Sequence, residues 1–155
     1  MKSKVQIIEN ISAILLGFYI AVLLWITVVG RNITVEDPFL FSPFHTFTSI
    51  FSEIKEQGIT GDFWGNILLF FPIGFITTFI TRVPKIKYIT FLGFVVSTVV
   101  ELSQVVFSRG YFEIDDLITN TIGAFIGALI GLIVKKFLNS SRNIQSKNPP
   151  KYDKR

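Results

Sequence analysis

The chain has 155 residues, of which 50% are hydrophobic and 15% aromatic, and its mean hydropathy is +0.54. These values, together with 17 Phe residues, exclude an ordinary soluble domain, because a core of this size could not hide so many apolar side chains. The absence of Cys excludes disulfides and thiolate chemistry, and a single His excludes a polyhistidine metal site within one chain. The net charge is a modest +4.

Four apolar runs are long enough to cross a hydrocarbon core of about 30 Å, which takes roughly 20 residues. These predicted spans cover residues 11–30, 63–81, 88–108 and 117–134. The first span is longer than the apolar region of a signal peptide, and no A-x-A-like cleavage site follows it, so we interpret it as a retained helix. The sequence therefore predicts an all-α integral membrane protein, a bundle of four transmembrane helices in a membrane domain over residues 1–134.

Positive charges are divided unevenly between the predicted connections. Twelve of the 15 Lys and Arg residues lie before the first span, between the second and third spans, or after residue 134. By the positive-inside rule, we expect a multi-pass protein of the cell membrane with both termini in the cytoplasm. Residues 135–155 are basic and contain Asn148-Pro149-Pro150, so we expect a disordered cytoplasmic tail there.

The first predicted outside segment, residues 31–62, is long for a connection between two spans. Ser42 suits a helix N-cap, Pro43 suits the first helical position, and Gly58 suits the end of the helix. This pattern predicts a helix that lies in the outer membrane interface with its apolar face down. The same helix could instead form a lid over the bundle.

The second and fourth spans carry signals for helix packing. Asn66 lies near the predicted outer end of the second span, and an amide in hydrocarbon must find a partner, so it should face the bundle. Gly123, Gly127 and Gly131 form a doubled G-x-x-x-G motif, which favours close helix contact. The partner could be the second span, the third span, or a second copy of the chain in a homo-oligomer.

The third span contains an ionisable residue, Glu101, roughly 10 Å inside its outer end at 1.5 Å per residue. Ser97, Gln104 and Ser108 follow the helical repeat from Glu101 and would form one polar stripe. A carboxylate at this depth costs several kcal/mol if it is unpaired, so it should be neutral, paired, or in a wet cavity.

A short acidic turn after Arg109 opens the fourth span. Asp116 and Asn120 are four residues apart and would share a helix face, while Asp115 or Asp116 is the natural partner of Arg109. Asp116 could instead cap the fourth helix. We predict that Asn66, Glu101 and Asn120 face one another at the outer leaflet. The candidate binding residues are Asn66, Glu101, Gln104, Arg109, Asp115, Asp116 and Asn120.

Three motifs give the chain a resemblance to a known family. They are Asn66-Ile-Leu-Leu-Phe-Phe-Pro72-Ile-Gly74, then Glu101-Leu-Ser-Gln104, and then Arg109 followed by Asp115-Asp116-Leu-Ile-Thr-Asn120-Thr-Ile-Gly123. With them, residues 11–134 resemble the VanZ-like family, although Ser42 stands before Pro43-Phe44 where the family usually has an apolar residue. The resemblance implies a polytopic cell-envelope protein linked to lower susceptibility to teicoplanin-type lipoglycopeptides, and it supplies no mechanism.

Three functions are compatible with these residues. The favoured one is a non-catalytic protein that binds or reorganises an outer-leaflet lipid or a lipid-linked wall precursor, with no cofactor, metal or nucleic acid. The second is an enzyme that modifies a lipid headgroup with Glu101 and Asp116 as acid and base. The third is a small transporter with Glu101 as proton carrier, although four helices without an internal repeat offer little for alternating access.

Overall fold

The computed structural model describes residues 4–30 and 61–147, with the backbone alone for residues 61, 62 and 141–147. This part of the chain contains four helices and no strand, and each helix is long and apolar enough to cross a membrane. The helices are α1 (Lys4–Leu24, continued by a π-helical turn, Trp25–Val29), α2 (Gly61–Ile80), α3 (Ile86–Val106) and α4 (Ile114–Lys147). The predicted four-helix membrane protein is confirmed. The predicted interfacial helix over 42–58 lies outside the described residues.

The helix bounds agree with the predicted spans for α2, for α3 and for the start of α4, to within about three residues. Two ends differ, because α1 begins at Lys4 rather than at residue 11 and α4 continues to Lys147. The predicted disorder of the tail is therefore wrong over residues 135–147, which are helical. The apolar run that could cross the membrane ends near residue 134. The helix continues beyond it because residues 132–148 contain neither Gly nor Pro.

Helix α4 packs most extensively against α2 and next against α3, while α1 packs against α2. A Cβ atom on Gly123 or Gly127 would overlap the carbonyl of Ile67 or Phe71, so the backbones of α2 and α4 are in close contact there. The doubled glycine motif thus packs against α2 of the same chain. A homo-oligomer through Gly123, Gly127 and Gly131 stays a prediction, and it would require this covered face to be vacated.

The apolar side chains divide between a small core and a broad outer belt. The core between α1, α2 and α3 comprises Leu16, Leu23, Phe70, Ile73 and Val100. Large apolar side chains on all four helices point outward, among them Phe18 (69% exposed), Leu68, Phe91 and Ile133. Such a belt suits a bundle surrounded by lipid, because there is no water around it to drive these side chains inside.

Helix α2 continues through Pro72, near the contact with α1. Proline has no N–H, so the carbonyl of Leu68 loses its usual helical donor. The Tyr19 hydroxyl of α1 donates to the adjacent carbonyl of Leu69 at 2.6 Å. This bond ties α1 to the part of α2 that the proline weakens.

Candidate functional site

The start of α2, the end of α3 and the start of α4 lie at one end of the bundle, because successive spanning helices are antiparallel. All seven residues that the sequence nominated lie in these three helix ends or in the connection between α3 and α4. We call these residues, with Ser97 and the backbone amide of Glu113, the polar cluster.

The predicted polar stripe of α3 faces the bundle interior. Ser97, Glu101 and Gln104 are all buried, with Glu101 only 1% exposed. The fourth predicted member, Ser108, is not on the stripe, because α3 ends at Val106. The three remaining members place a polar surface toward α4.

The connection after α3 is a tight turn that returns the chain to α4. Ser108 has a positive φ of 54°, a conformation that serine rarely adopts. The Ser108 N–H donates to the carbonyl of Val105 at 3.0 Å, and the Arg109 N–H donates to that of Gln104 at 2.7 Å. These are the two bonds of a Schellman motif, which satisfies the last carbonyls of the helix.

Glu101 binds the start of α4 through the main chain. Its Oε2 atom accepts a hydrogen bond from the Glu113 N–H at 3.1 Å. The Glu113 carbonyl in turn accepts from the Leu117 N–H at 3.2 Å, so Glu113 occupies the N-cap position of α4. A carboxylate is favoured here because the N–H groups at a helix N-terminus carry partial positive charge.

Asp116 links α4 to α2. The Asn66 Nδ2 atom donates to Asp116 Oδ1 at 2.7 Å. Asn66 therefore has a polar partner inside the bundle, as expected for an amide in a membrane-spanning helix. Asp116 lies within the first turn of α4, so it is not the N-cap of that helix. Its carboxylate stabilises a contact between two helices instead.

Asn120 links α4 to α3. Its Nδ2 atom donates to Ser97 Oγ at 3.0 Å, and the residue is 2% exposed. The Asn120 Oδ1 atom is buried and has no hydrogen-bond partner among the described residues. This oxygen can therefore still accept a hydrogen bond within the polar cluster. Burial of such an oxygen without a donor costs free energy.

Asp115 is more deeply buried than the sequence indicated. It is 1% exposed, whereas Asp116, which the sequence ranked as the acid–base partner, is half-buried. Gln104 is 6% exposed, and Arg109 is half-buried in the turn between the helices. Both aspartates lie in the first turn of α4, where its N-terminus favours negative charge.

The candidate residues from the sequence lie at one end of the bundle. Asn66 hydrogen-bonds Asp116, Glu101 accepts from the Glu113 N–H, and Asn120 donates to Ser97. That Asn66, Glu101 and Asn120 face one another stays a prediction. Two of those partners, Ser97 and the Glu113 amide, were not among the nominated binding residues. Ser97 could have been found from the polar stripe, whereas a backbone amide leaves no signal in a sequence.

The cluster is rich in acceptors. It contains the carboxylates of Glu101, Asp115 and Asp116, with Arg109 as its cationic side chain. Within residues 4–30 and 61–147, no group of three or more His, Asp or Glu residues could hold a metal ion. The arrangement can hold helices together, bind N–H or O–H donors, or exchange protons at buried carboxyl groups.

The region of the chain that is similar to known proteins includes the whole polar cluster. Residues 16–135 match the family described as VanZ/LLP1. The chain is 24% identical over 132 residues to Protein VanZ of Enterococcus faecium, an alignment that covers 83% of this chain and 78% of that protein. No solved structure gives a significant match.

Proposed function

The chain belongs to the VanZ/LLP1 family, and on that premise we propose that it lowers susceptibility to teicoplanin-type lipoglycopeptides without catalysing a reaction. It binds or reorganises a lipid or a lipid-linked wall precursor at the outer leaflet of the cell membrane, so that less drug is held at the cell surface. The similarity to Protein VanZ supports the link to resistance, and the four apolar helices support the membrane location.

The polar cluster is the observation that carries this proposal. Three helices within the matched region contribute to it, and it lies at the end of the bundle for which the sequence predicts an outside location. Buried polar side chains in a membrane protein are costly, and they mark functional sites. A headgroup or precursor with hydroxyl, amide or ammonium donors would complement acceptors such as Asn120 Oδ1.

The contacts of the two candidate catalytic carboxylates favour binding over catalysis. Glu101 accepts from the backbone of Glu113, and Asp116 accepts from Asn66. Both carboxylates therefore join helix ends, a role in which they hold a surface in shape. An acid–base pair would instead have to direct these oxygens at a substrate.

The proposal is tested by expressing the chain in a susceptible Gram-positive host. We expect a higher minimum inhibitory concentration of teicoplanin, less labelled teicoplanin on intact cells, and no change in the lipid species of a total extract. A new or missing lipid species would show headgroup chemistry and contradict the proposal. Unchanged susceptibility at normal protein abundance would also contradict it.

Substitution of Glu101 tests whether the polar cluster is responsible. We expect Glu101→Gln to abolish the resistance at unchanged membrane abundance, because glutamine keeps an acceptor for the Glu113 N–H but removes the charge. Ser103→Ala is the matched control on the same helix, since the Ser103 hydroxyl donates to the carbonyl of Val99. If the Gln variant keeps full resistance, the charge of Glu101 is not needed and the side chain has a structural role alone.

A further inference from the structure

A cavity of about 260 Å³ opens at the opposite end of the bundle, between α1, α2 and α4. Its lining includes the apolar side chains of Ile8, Phe79 and Leu138. It also includes three charged side chains, which we call the rim: Glu9, Arg82 and Lys135. An adjoining cleft shares Arg82 and Lys135 and adds Lys136. The combined rim thus has three cationic side chains and one anionic side chain.

The cations on the rim are held in position by the fold. Lys135 Nζ donates to the carbonyls of Thr78, at 2.9 Å, and Thr81, at the end of α2. Arg82 Nε lies 3.3 Å from Glu9 Oε1, which ties the same end of α2 to α1. A guanidinium has five N–H donors and an ammonium has three, so these contacts leave donors for a further anionic group.

The charged rim lies at one end of the helices that can span a membrane, the level at which such helices meet lipid headgroups. Helix α2 ends at Ile80, and Arg82 follows just beyond its last apolar turn. Lys135 reaches the same level from α4. Phe79 lies about one turn before Arg82, on the side of the rim toward the centre of the bundle, where an acyl chain can lie. Leu138 lies about one turn beyond Lys135, on the opposite side of the rim.

We propose that this cavity binds an anionic phospholipid of the leaflet at that end of the bundle. The phosphate lies between Arg82, Lys135 and Lys136, and one acyl chain packs against Phe79. Excess positive charge selects a net-negative headgroup over a zwitterionic one, as is typical of basic pockets between transmembrane helices. The site is at the opposite end from the polar cluster, so it does not depend on the proposed function.

The test is a lipid titration of the purified full chain in neutral detergent, followed by native mass spectrometry. We expect phosphatidylglycerol to bind about tenfold more tightly than phosphatidylcholine with the same acyl chains. Inorganic phosphate at matched concentration should not displace it, because a free anion lacks the acyl contact. Equal binding of the two lipids would overturn the proposal, and displacement by phosphate alone would show a small-anion site instead.

Variants separate a built site from general attraction to a basic surface. The double substitution Arg82→Gln with Lys136→Gln should weaken phosphatidylglycerol binding about tenfold, since each basic residue near an anionic surface contributes to its attraction. Lys85→Gln with Lys87→Gln removes the same charge from the same end, where both ammonium groups lie near the Tyr88 ring. That control should stay within about twofold. Equal losses in the two variants would overturn the proposal.

A third variant keeps the test valid if the Arg82 substitution disturbs folding through the loss of the Glu9 contact. Phe79→Ala keeps every charge and removes the side chain against which the acyl chain is proposed to pack. We expect it to weaken phosphatidylglycerol binding while the helix content, measured by circular dichroism, is unchanged. Unweakened binding by a folded Phe79→Ala protein would overturn the proposed position of the acyl chain.

Discussion

Glu101 is an ionisable side chain almost completely buried in a helix that can cross a membrane. An isolated carboxylate there would be strongly disfavoured, yet this one accepts from the Glu113 N–H at the positive end of α4. Ser97, before it in the chain, and Gln104, after it, lie on the same buried face of α3. The burial of Glu101 is therefore burial among polar groups, which lowers the cost of holding a carboxyl group inside the bundle.

The hydrogen bond between Asn66 and Asp116 can be measured by a double-mutant cycle. We expect Asn66→Ala and Asp116→Ala to be coupled by at least about 0.6 kcal/mol, the average for hydrogen bonds between membrane helices, and by no more than about 1.7 kcal/mol. The physical reason is that each alanine removes one side of the hydrogen bond across the α2–α4 contact. The measurement is the free energy of unfolding in mixed micelles for the two single variants and the double variant.

The control for this cycle combines Asn66→Ala with Thr121→Val. The Thr121 hydroxyl lies on the same helix as Asp116 but donates to the carbonyl of Leu117 in its own helix. The two free-energy changes should therefore add. Additive effects in the Asn66–Asp116 cycle would show that their contact contributes nothing to stability.

Helix α4 makes three kinds of contact along its length. Its first turns supply the polar cluster, its glycines pack against α2, and Lys135 near its far end donates to the last carbonyls of α2. Since α2 contacts α4 at all three levels, the position of Asn66 relative to Asp116 is fixed by the whole contact.

A pair of glycine substitutions tests the α2–α4 contact. We expect Gly127→Ala to destabilise the protein by about 1–3 kcal/mol, the usual cost of inserting a methyl group into a packed interface. The new Cβ would overlap the carbonyl of Phe71, which is backbone and cannot rotate away. The measurement is the free energy of unfolding in mixed micelles.

Gly17→Ala is the matched control, because a Cβ at Gly17 in α1 meets nothing within 4 Å among the described residues. It should be neutral or slightly stabilising, since alanine has the higher helix propensity. Equal losses for the two variants would mean that the glycines matter for the helix backbone rather than for contact with α2.

At the scale of the whole molecule, the two ends of the bundle have opposite electrostatic character. Three carboxylates enter the polar cluster at one end, while Arg82, Lys135 and Lys136 lie at the other. This asymmetry agrees with the positive-inside rule, by which the basic end faces the cytoplasm. The orientation itself stays a prediction.

Single-cysteine labelling of intact cells tests the orientation. The chain has no Cys of its own, so each introduced thiol reports one position. We expect Tyr111→Cys, in the connection between α3 and α4 and 42% exposed, to react with a membrane-impermeant maleimide. Lys85→Cys, between α2 and α3, should react once the cells are opened. The reverse pattern would contradict the topology and the outside location of the polar cluster.

The sequence by itself determined the class of the molecule and the residues that needed partners. An apolar run of about 20 residues predicts a span wherever it occurs, because the length of a run is a local property. An amide such as Asn66 or a carboxylate such as Glu101 must be satisfied inside the bundle, so their convergence could also be predicted. The glycine spacing likewise predicted a close helix contact before its partner was known.

Only the tertiary structure decided which groups meet. The partner of Glu101 is a backbone amide, the glycines contact α2 rather than α3, and Asp115 is buried more deeply than Asp116. Each of these outcomes depends on the rotation and axial position of one helix relative to another. Those quantities are set by side-chain packing along the entire contact, so no local stretch of sequence contains them.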